Sequence, residues 1–363
     1  MSPEVSIRLP PEIITCILHH LPAKSLGRFR CVSKNWLSLI SDPQFIKTHQ
    51  TTQIRNHLIF VSYDHSLYSL PFHHHEPQSV VSKPKKLRFD SHHVVFTLYG
   101  CCNGLVLVSA HNFDGVHSLV VLNPTTRETV ELPESKFEVI SNWSEIEIVY
   151  GFGYDSLADD YKIVTISYFH NHYLIPPESM SVHVYSLRTN TWRWVIDSPY
   201  DFSYGRFVSG VFVDGFLHWI AKKGCDLLPV IVGFSLADER FIELPSPCLC
   251  NGVDIMTRND CKLVVLGGKL GVFLDGEVWL MNRYGVKESW MKISIYGLDG
   301  IPMVEPMFLD EKGKILLVSR NVMLIYDVEE RTLCKSVNTS QKLKDLKVRG
   351  TYIESLVSPK LSI

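Results

Sequence analysis

"SLVVLNPTTRETVEL", residues 118–132, sets one apolar run of β type against a shorter one across the turn-forming residues Asn123, Pro124 and Thr125. Four later stretches repeat the arrangement: "RTNT" at 188, "LADE" at 236, "YGVKE" at 284 and "VEER" at 328. Counted from the turn at 123, the spacings are 65, 48, 48 and 44 residues. A unit of that length accommodates four short strands, and self-similarity at such a period is the mark of a β-propeller. Between the turns lie short runs rich in Val, Ile, Leu and aromatic residues, among them "HLIFVS", "GLVLVS", "YKIVTISY", "FLHWIA", "KLVVLGG" and "VMLIYDV".

Assigning strands unit by unit predicts blades at 93–133, 147–196, 207–245, 261–295 and 305–337. The first blade offers only "HLIFVS", "SLYSLPF" and "QSVVSKP", one strand short, whereas "TYIESLV" at 351–357 is a strand without a blade. Pairing the two predicts a ring of about six four-stranded blades, closed by the C-terminal strand so that no sheet edge stays open. Seven blades is the neighbouring count, and the number of strands disfavours an antiparallel sandwich. Asn103 with Gly104, Asn123 with Pro124, Asp155, and Asp214 with Gly215 read as turn formers without chemistry.

The N-terminus has another period. In "RLPPEIITCILHHLPAKSLGRFRCVSKNW", residues 8–36, the apolar residues Ile13, Ile14, Ile17, Leu18 and Leu21 recur at helical spacing after Pro10 and Pro11, with Glu12 in the first turn and Pro22 as the stop. Leu26, Phe29 and Val32 mark a second helix. Ser33 caps a third with Trp36, Leu37 and Ile40, and Asp42 with Pro43 opens a fourth with Phe45 and Ile46. Helices this short are unstable alone and must pack together, yet a bundle of roughly forty residues cannot hide every one of these side chains. The surplus apolar surface predicts a partner site.

The 363 residues are 45% hydrophobic and 20% charged, ample for large cores. With 36 Lys plus Arg against 38 Asp plus Glu, the net charge of -2 gives no field that favours nucleic acid or an anionic membrane, so neither is expected as a partner. "MSPEVSIRLPPE" lacks the pattern of a secretion signal, and the apolar run "LLPVIVGF" at 227–234 is far too short to span a bilayer. A cytoplasmic and/or nuclear location is expected. Nine scattered cysteines, an odd number, suit reduced thiols, which makes the sequons at Asn142 and Asn338 chance matches.

Catalytic motifs are weak. "GFGYDS" at 151–156 has no third glycine at dinucleotide-binding spacing, and Cys248 and Cys250 have no second pair at zinc spacing. Cys101 and Cys102 point to opposite faces of a strand. His73, His74 and His75 fall in a loop, where a solvated turn is the commoner reading, and His218 beside Trp219 reads as a core histidine. "SKPKKLR" at 82–88 reads as lysines guarding an outer strand or as a nuclear address. No catalytic residue, metal ligand or cofactor is assigned.

"LPPEIITCILHHLPAKSLGRFRCVSKNWLSLISDPQFIKTH", residues 9–49, closely resembles the F-box, with its two L-P pairs, its V-S-K-x-W and its late D-P-x-F at the family's spacings. The chain after it resembles the plant F-box-associated, kelch-like domain (type 1/type 3). The marks are "CCNGLVLV" at 101–108, "LNPTTRE" at 122–128, "GFGYDSLADDYKIV" at 151–164, "VYSLRTNTWRWV" at 184–195, "VFVDGFLHWIA" at 211–221 and "YGVKESW" at 284–290. No W-D dipeptide is present and Gly267-Gly268 is the one double glycine, so the array is neither WD40 nor regular kelch. The resemblance implies an α+β multidomain chain: an F-box over 1–50 and an all-β propeller over 51–363. It further implies docking on a Skp-type adaptor and, through it, on a cullin and a RING subunit. Carried over by motif, the adaptor-facing residues are Leu9, Pro10, Ile14, Leu18, Leu21, Pro22, Leu26, Val32 and Trp36.

The implied function is substrate recognition for a ubiquitin ligase, without an active site. A Skp-binding scaffold outside a cullin ligase and a propeller enzyme carrying an F-box for its own turnover are the alternatives. In a four-stranded blade, the loops between the second and third strands and those joining successive blades share a face. Two such loops, 167–179 and 198–207, are rich in aromatics, and the large side chains Phe169, Tyr173, Tyr200, Phe202, Tyr204 and Arg206 are therefore the target-binding candidates.

Overall fold

The computed structural model describes residues 9–52, 56–62, 66–72, 84–87, 94–111, 117–134, 146–169, 180–202, 209–223, 228–247, 261–298, 300–301, 304–319, 322–338 and 346–360. Four helices come first: α1 (Pro11–His19), α2 (Ala23–Phe29), α3 (Lys34–Ile40) and α4 (Pro43–Thr52). Pro10 and Pro22 sit at the caps of α1 and α2, where a missing N–H is harmless. Ser33 Oγ accepts from Trp36 N at 3.2 Å and Asp42 Oδ1 from Phe45 N at 2.9 Å, so the two expected caps are made.

Six antiparallel sheets follow. Blade 1 contains β1 (Asn56–Ser62), β2 (Leu67–Pro71) and β3 (Lys85–Lys86); blade 2 contains β4 (Val94–Cys102), β5 (Leu105–His111), β6 (His117–Leu122) and β7 (Thr129–Glu131). Blade 3 is β8 (Ile146–Asp155), β9 (Asp160–Phe169), β10 (Met180–Ser186) and β11 (Thr191–Asp197). In blade 4 the innermost position is split between β12 (Tyr200–Asp201) and β13 (Val211–Val213), both paired to β14 (Phe216–Lys223), after which come β15 (Leu228–Ser235) and β16 (Phe241–Leu244). Blade 5 is β17 (Lys262–Leu266), β18 (Lys269–Leu274), β19 (Glu277–Met281) and β20 (Trp290–Ser294). Blade 6 is β21 (Glu305–Leu309), β22 (Lys314–Ser319), β23 (Val322–Asp327) and β24 (Thr332–Asn338). All five repeated turns connect the third and fourth strands of their blades, as the sequence period predicts.

The ring closes through β25 (Leu346–Ile353), which pairs antiparallel to β1 and gives blade 1 its innermost strand. Closure by the C-terminus is as expected, but the strand is Leu346–Ile353 and not 351–357. Residues 354–357 leave the sheet and run beneath blade 2 as a tail. Their apolar and β-branched content resembles a strand locally, and only their partners distinguish them.

Period-2 geometry explains the packing. Along β5, Leu105 and Leu107 enter a core shared with Phe152, Ile163 and Tyr185 of blade 3, whereas Val106 and Val108 enter one shared with Ile59 and Val61 of blade 1. Similar cores join blades 3 and 4, 4 and 5, 5 and 6, and finally 6 and 1, where Leu316 and Met323 meet Leu58 and Phe60. The middle strands are thus buried on both faces and read as continuous apolar runs, while polar alternation survives on outer strands such as β11. Cys101 and Cys102 fall in different cores, on opposite faces of β4. Lys85 and Lys86 are exposed on β3, the outermost strand of blade 1.

Polar groups tie neighbouring blades. Lys162 Nζ donates to Leu236 O at 2.6 Å and pairs with Asp155 at 2.8 Å and Glu239 at 3.2 Å, joining blades 3 and 4. Asp155 also accepts from the amides of Leu157 and Ala158, which makes it the turn former expected. Asn103-Gly104 and Asp214-Gly215 each have two positive φ values, 49° with 83° and 50° with 81°, the geometry of a tight hairpin. His218 is wholly buried between blades 4 and 5, with Nδ1 at 3.2 Å from Val211 O and Nε2 at 2.7 Å from Tyr284 OH. Burial pushes its pKa down to about 4.

Two outcomes follow for stability. Deleting residues 346–363 strips β1 of its partner and uncovers the cores on both sides of blade 1; the truncated chain should elute as aggregate and lose resistance to limited proteolysis. A truncated chain that melts like the parent would refute closure. For His218, both states are neutral above its ordinary pKa of 6.5; below it the unfolded chain takes up a proton that the buried ring refuses until about pH 4. Stability on the order of 3 kcal/mol should therefore be lost between those limits. Denaturant titrations from pH 7 to 4.5 should show a flatter profile for His218→Gln than for the parent.

Candidate functional site

The four helices bury one stripe and leave another bare. Leu18, Ala23, Leu26, Ile40 and Phe45 form the core of the helical module, and Ile14, Leu21, Phe29, Trp36 and Ile46 pack half-buried around it. Outside this core, Leu9 is 52% exposed, Ile13 47%, Ile17 48%, Val32 64% and Leu37 47%. Among the described residues twelve large apolar side chains are exposed, and these five belong to the small helical module, so the surplus is concentrated there.

This division sorts the nine residues expected to face an adaptor. Leu9, Pro10 and Val32 are exposed, while Ile14, Leu21, Pro22 and Trp36 are half-buried at the margin of the core. Leu18 and Leu26 are corrected: both are fully buried inside the module, because they lie on the stripe that α1 and α2 turn toward α3 and α4. Ile13, Ile17 and Leu37 were not among the nine, yet they are open. The signal was available, since Leu9, Ile13 and Ile17 follow each other at four-residue steps, a second helical stripe beside Ile14, Leu18 and Leu21.

The module is mounted on one face of the propeller. Gln50 Nε2 donates to Asn103 O at 3.0 Å in the turn between β4 and β5, and Lys47 pairs with Asp159 at 3.0 Å in the turn between β8 and β9. Ile46 reaches the core between blades 2 and 3. These turns join first to second strands. Antiparallel order puts the strand ends His111 and His117, Phe169 and Met180, and Lys223 and Leu228 at the opposite face, together with the passage from Asp197 of β11 to Tyr200 of β12.

Two of the target candidates are described with their side chains. Tyr200 is half-buried on Phe241 at 5.6 Å and donates to Glu243 at 2.8 Å; burial, then this hydrogen bond, pushes its pKa up to about 12. Phe202 is corrected: it is buried between Trp219 at 5.9 Å and Phe241 at 6.1 Å and belongs to the core of blades 3 and 4. An aromatic residue between strands can fold inward as readily as outward, and here the broken inner strand of blade 4 turns it in. The Phe169 side chain, Tyr173, Tyr204 and Arg206 lie outside the described residues, as do His73, His74, His75, Cys248 and Cys250.

A cavity of about 640 Å³ runs along the propeller axis, lined by the innermost strands with Tyr99, Cys101, Phe212, Phe308 and Tyr352 on its walls and an ion pair between Lys262 and Glu305. Burial pushes the Cys101 thiol up to about 12, so it is protonated at neutral pH and a poor nucleophile or metal ligand. His218 has both ring nitrogens occupied. Among the described residues no group of three His, Cys, Asp or Glu side chains is placed to hold a metal.

Comparison with known proteins agrees with this geometry. The family model of the F-box domain matches residues 7–48, and that of the F-box associated beta propeller domain matches residues 58–359. An Arabidopsis thaliana F-box/kelch-repeat protein is 30% identical over 375 residues, covering 97% of this chain and 96% of its own. A second Arabidopsis F-box protein is 28% identical, covering 94% and 88%. The Arabidopsis F-box protein CPR1 is 30% identical, covering 90% and 83%.

Proposed function

We propose that this chain, which belongs to the F-box proteins carrying an F-box-associated β-propeller, is the substrate-recognition subunit of a Skp–cullin–F-box ubiquitin ligase. The observation that carries the reading is the exposure of the apolar side chains Leu9, Ile13, Ile17, Val32 and Leu37 on a module whose core is filled without them. Such a surface needs a partner, and in this family the partner is a Skp-type adaptor. The propeller then presents its opposite face, with Tyr200 at the rim, to a target protein.

The chain itself is read as non-catalytic, with the ubiquitin transfer done by the ligase's other subunits. A protonated Cys101 and a neutral, fully hydrogen-bonded His218 support that reading, since neither is poised as nucleophile or base. A cytosolic or nuclear location is part of the same reading.

Replacing Leu9, Ile13 and Ile17 together by Ala removes apolar area worth on the order of 2–4 kcal/mol in the interface. Adaptor affinity should fall by about a hundredfold while the melting of the propeller stays unchanged. Full affinity in the triple variant would sink the assignment of this stripe. Recovery of the adaptor without any cullin, from cells with the ligase intact, would replace the receptor by a scaffold.

A further inference from the structure

The tail that leaves β25 is shared between the two domains. On the propeller side, Asn123 Nδ2 donates to Ser355 O at 3.1 Å and to Val357 O at 2.7 Å, and the Val357 side chain enters the core between blades 2 and 3. Leu356, between them, turns the other way. It is fully buried in the core of the helical module, beside Leu18, Leu26, Ile40 and Phe45.

The remaining contacts tighten this clamp. Arg30 Nη2, at the C-cap of α2, donates to Leu356 O at 3.3 Å and to Ile40 O at 3.5 Å, so one half-buried guanidinium spans the tail and α3. Gln50 of α4 donates to Ser355 Oγ at 2.9 Å. Asn123 is itself fully buried, and its Oδ1 accepts from Thr125 N at 2.7 Å and Thr126 N at 3.2 Å, so the amide that grips the tail is held by its own turn. Gly104 lies so close that a Cβ there would stand 2.2 Å from Ser355 Cβ.

We propose that Leu356 completes the core of the N-terminal helical module, so that the module is fully folded, and its adaptor stripe formed, only when the C-terminal strand has closed the ring. Helices of seven to ten residues do not hold on their own, and five buried side chains from the module are a small core. The sixth comes from the far end of the chain. Because β25 and the tail are consecutive, the strand that seals the propeller delivers Leu356 to its pocket in the same movement. A chain that has not finished its propeller therefore cannot present a competent adaptor surface. The inference rests on the receptor reading only for its adaptor readout.

The test uses full-length protein carrying Leu356→Asp, Leu356→Ala or Leu356→Met, with two measurements: hydrogen exchange by segment and affinity for purified Skp-type adaptor. In Leu356→Asp, amides of α1–α4 should exchange at least about tenfold faster while those of β5, β9, β15 and β23 keep the parent's protection. Adaptor affinity should fall about tenfold or more, since only the folded fraction of the module binds. Leu356→Ala should lie between, and Leu356→Met close to the parent. Unchanged exchange in α1–α4 of Leu356→Asp overturns the inference. So does loss of protection throughout the ring in both Leu356→Asp and Leu356→Ala, which would make Leu356 a propeller residue. If the parent binds no adaptor, the receptor reading fails, and the exchange pattern alone decides this inference.

Discussion

Sheets that are apolar on both faces cannot end in water, and every blade of this chain is of that kind. The pairing of β25 with β1 is the constraint on which the remainder depends, because it converts a row of six such sheets into a ring in which each face has a neighbour. Tyr352 shows how the closing strand is seated: its hydroxyl lies 2.6 Å from Ser69 Oγ, and its ring stacks on His57, which reaches Glu354 at 3.1 Å. Those contacts join the last strand to the first two across almost the whole length of the chain. The other blades are continuous in sequence and need no such device.

Closure also decides where the helical module sits. The chain enters β1 at Asn56 and leaves β25 at Ile353, and these two residues are paired, so the module before β1 and the tail after β25 emerge together. The face they share carries the short turns at Asn103-Gly104 and Asp155–Asp160, whose backbone is fixed by positive φ or by side-chain hydrogen bonds. Rigid turns make a firm mount for Gln50 and Lys47. The strand ends at His111, Met180 and Leu228 lie on the opposite face, which is the arrangement the proposed receptor role requires.

What the sequence reveals of this follows the range of the interactions. The repeated turns are local: Asn123, Ser186, Ser235 and Asp327 each bond amides within a few residues, so the blades are legible from the chain in order. The limits of β25 were less so, because Thr351 to Val357 has strand composition throughout and only the pairing of Asn56 with Ile353 marks where the sheet ends. Helical periodicity found the apolar residues of α1 but could not separate the stripe of Ile14 and Leu18 from that of Ile13 and Ile17, since both fit the period and the difference is which one meets α4. Phe202 was misplaced for a similar reason. Its aromatic neighbours Trp219 and Phe241 come from other strands, and loop composition carries no record of them.

Least legible is Leu356, whose partners Leu18 and Leu26 lie more than three hundred positions away. A motif for the helical module ends near residue 49 by every local criterion, yet the packing unit includes this residue from the tail. Domain as sequence and domain as core thus differ by one side chain, and that side chain lies at the junction of the helical module and the propeller. A junction held only by a linker between Thr52 and Asn56 would leave the module free to swing. Ile46, Gln50, Arg30 and Leu356 instead fix it at four places drawn from one helix, one cap and the tail. The exposed apolar residues of the module and the propeller are therefore held in one geometry, as the proposed receptor role requires.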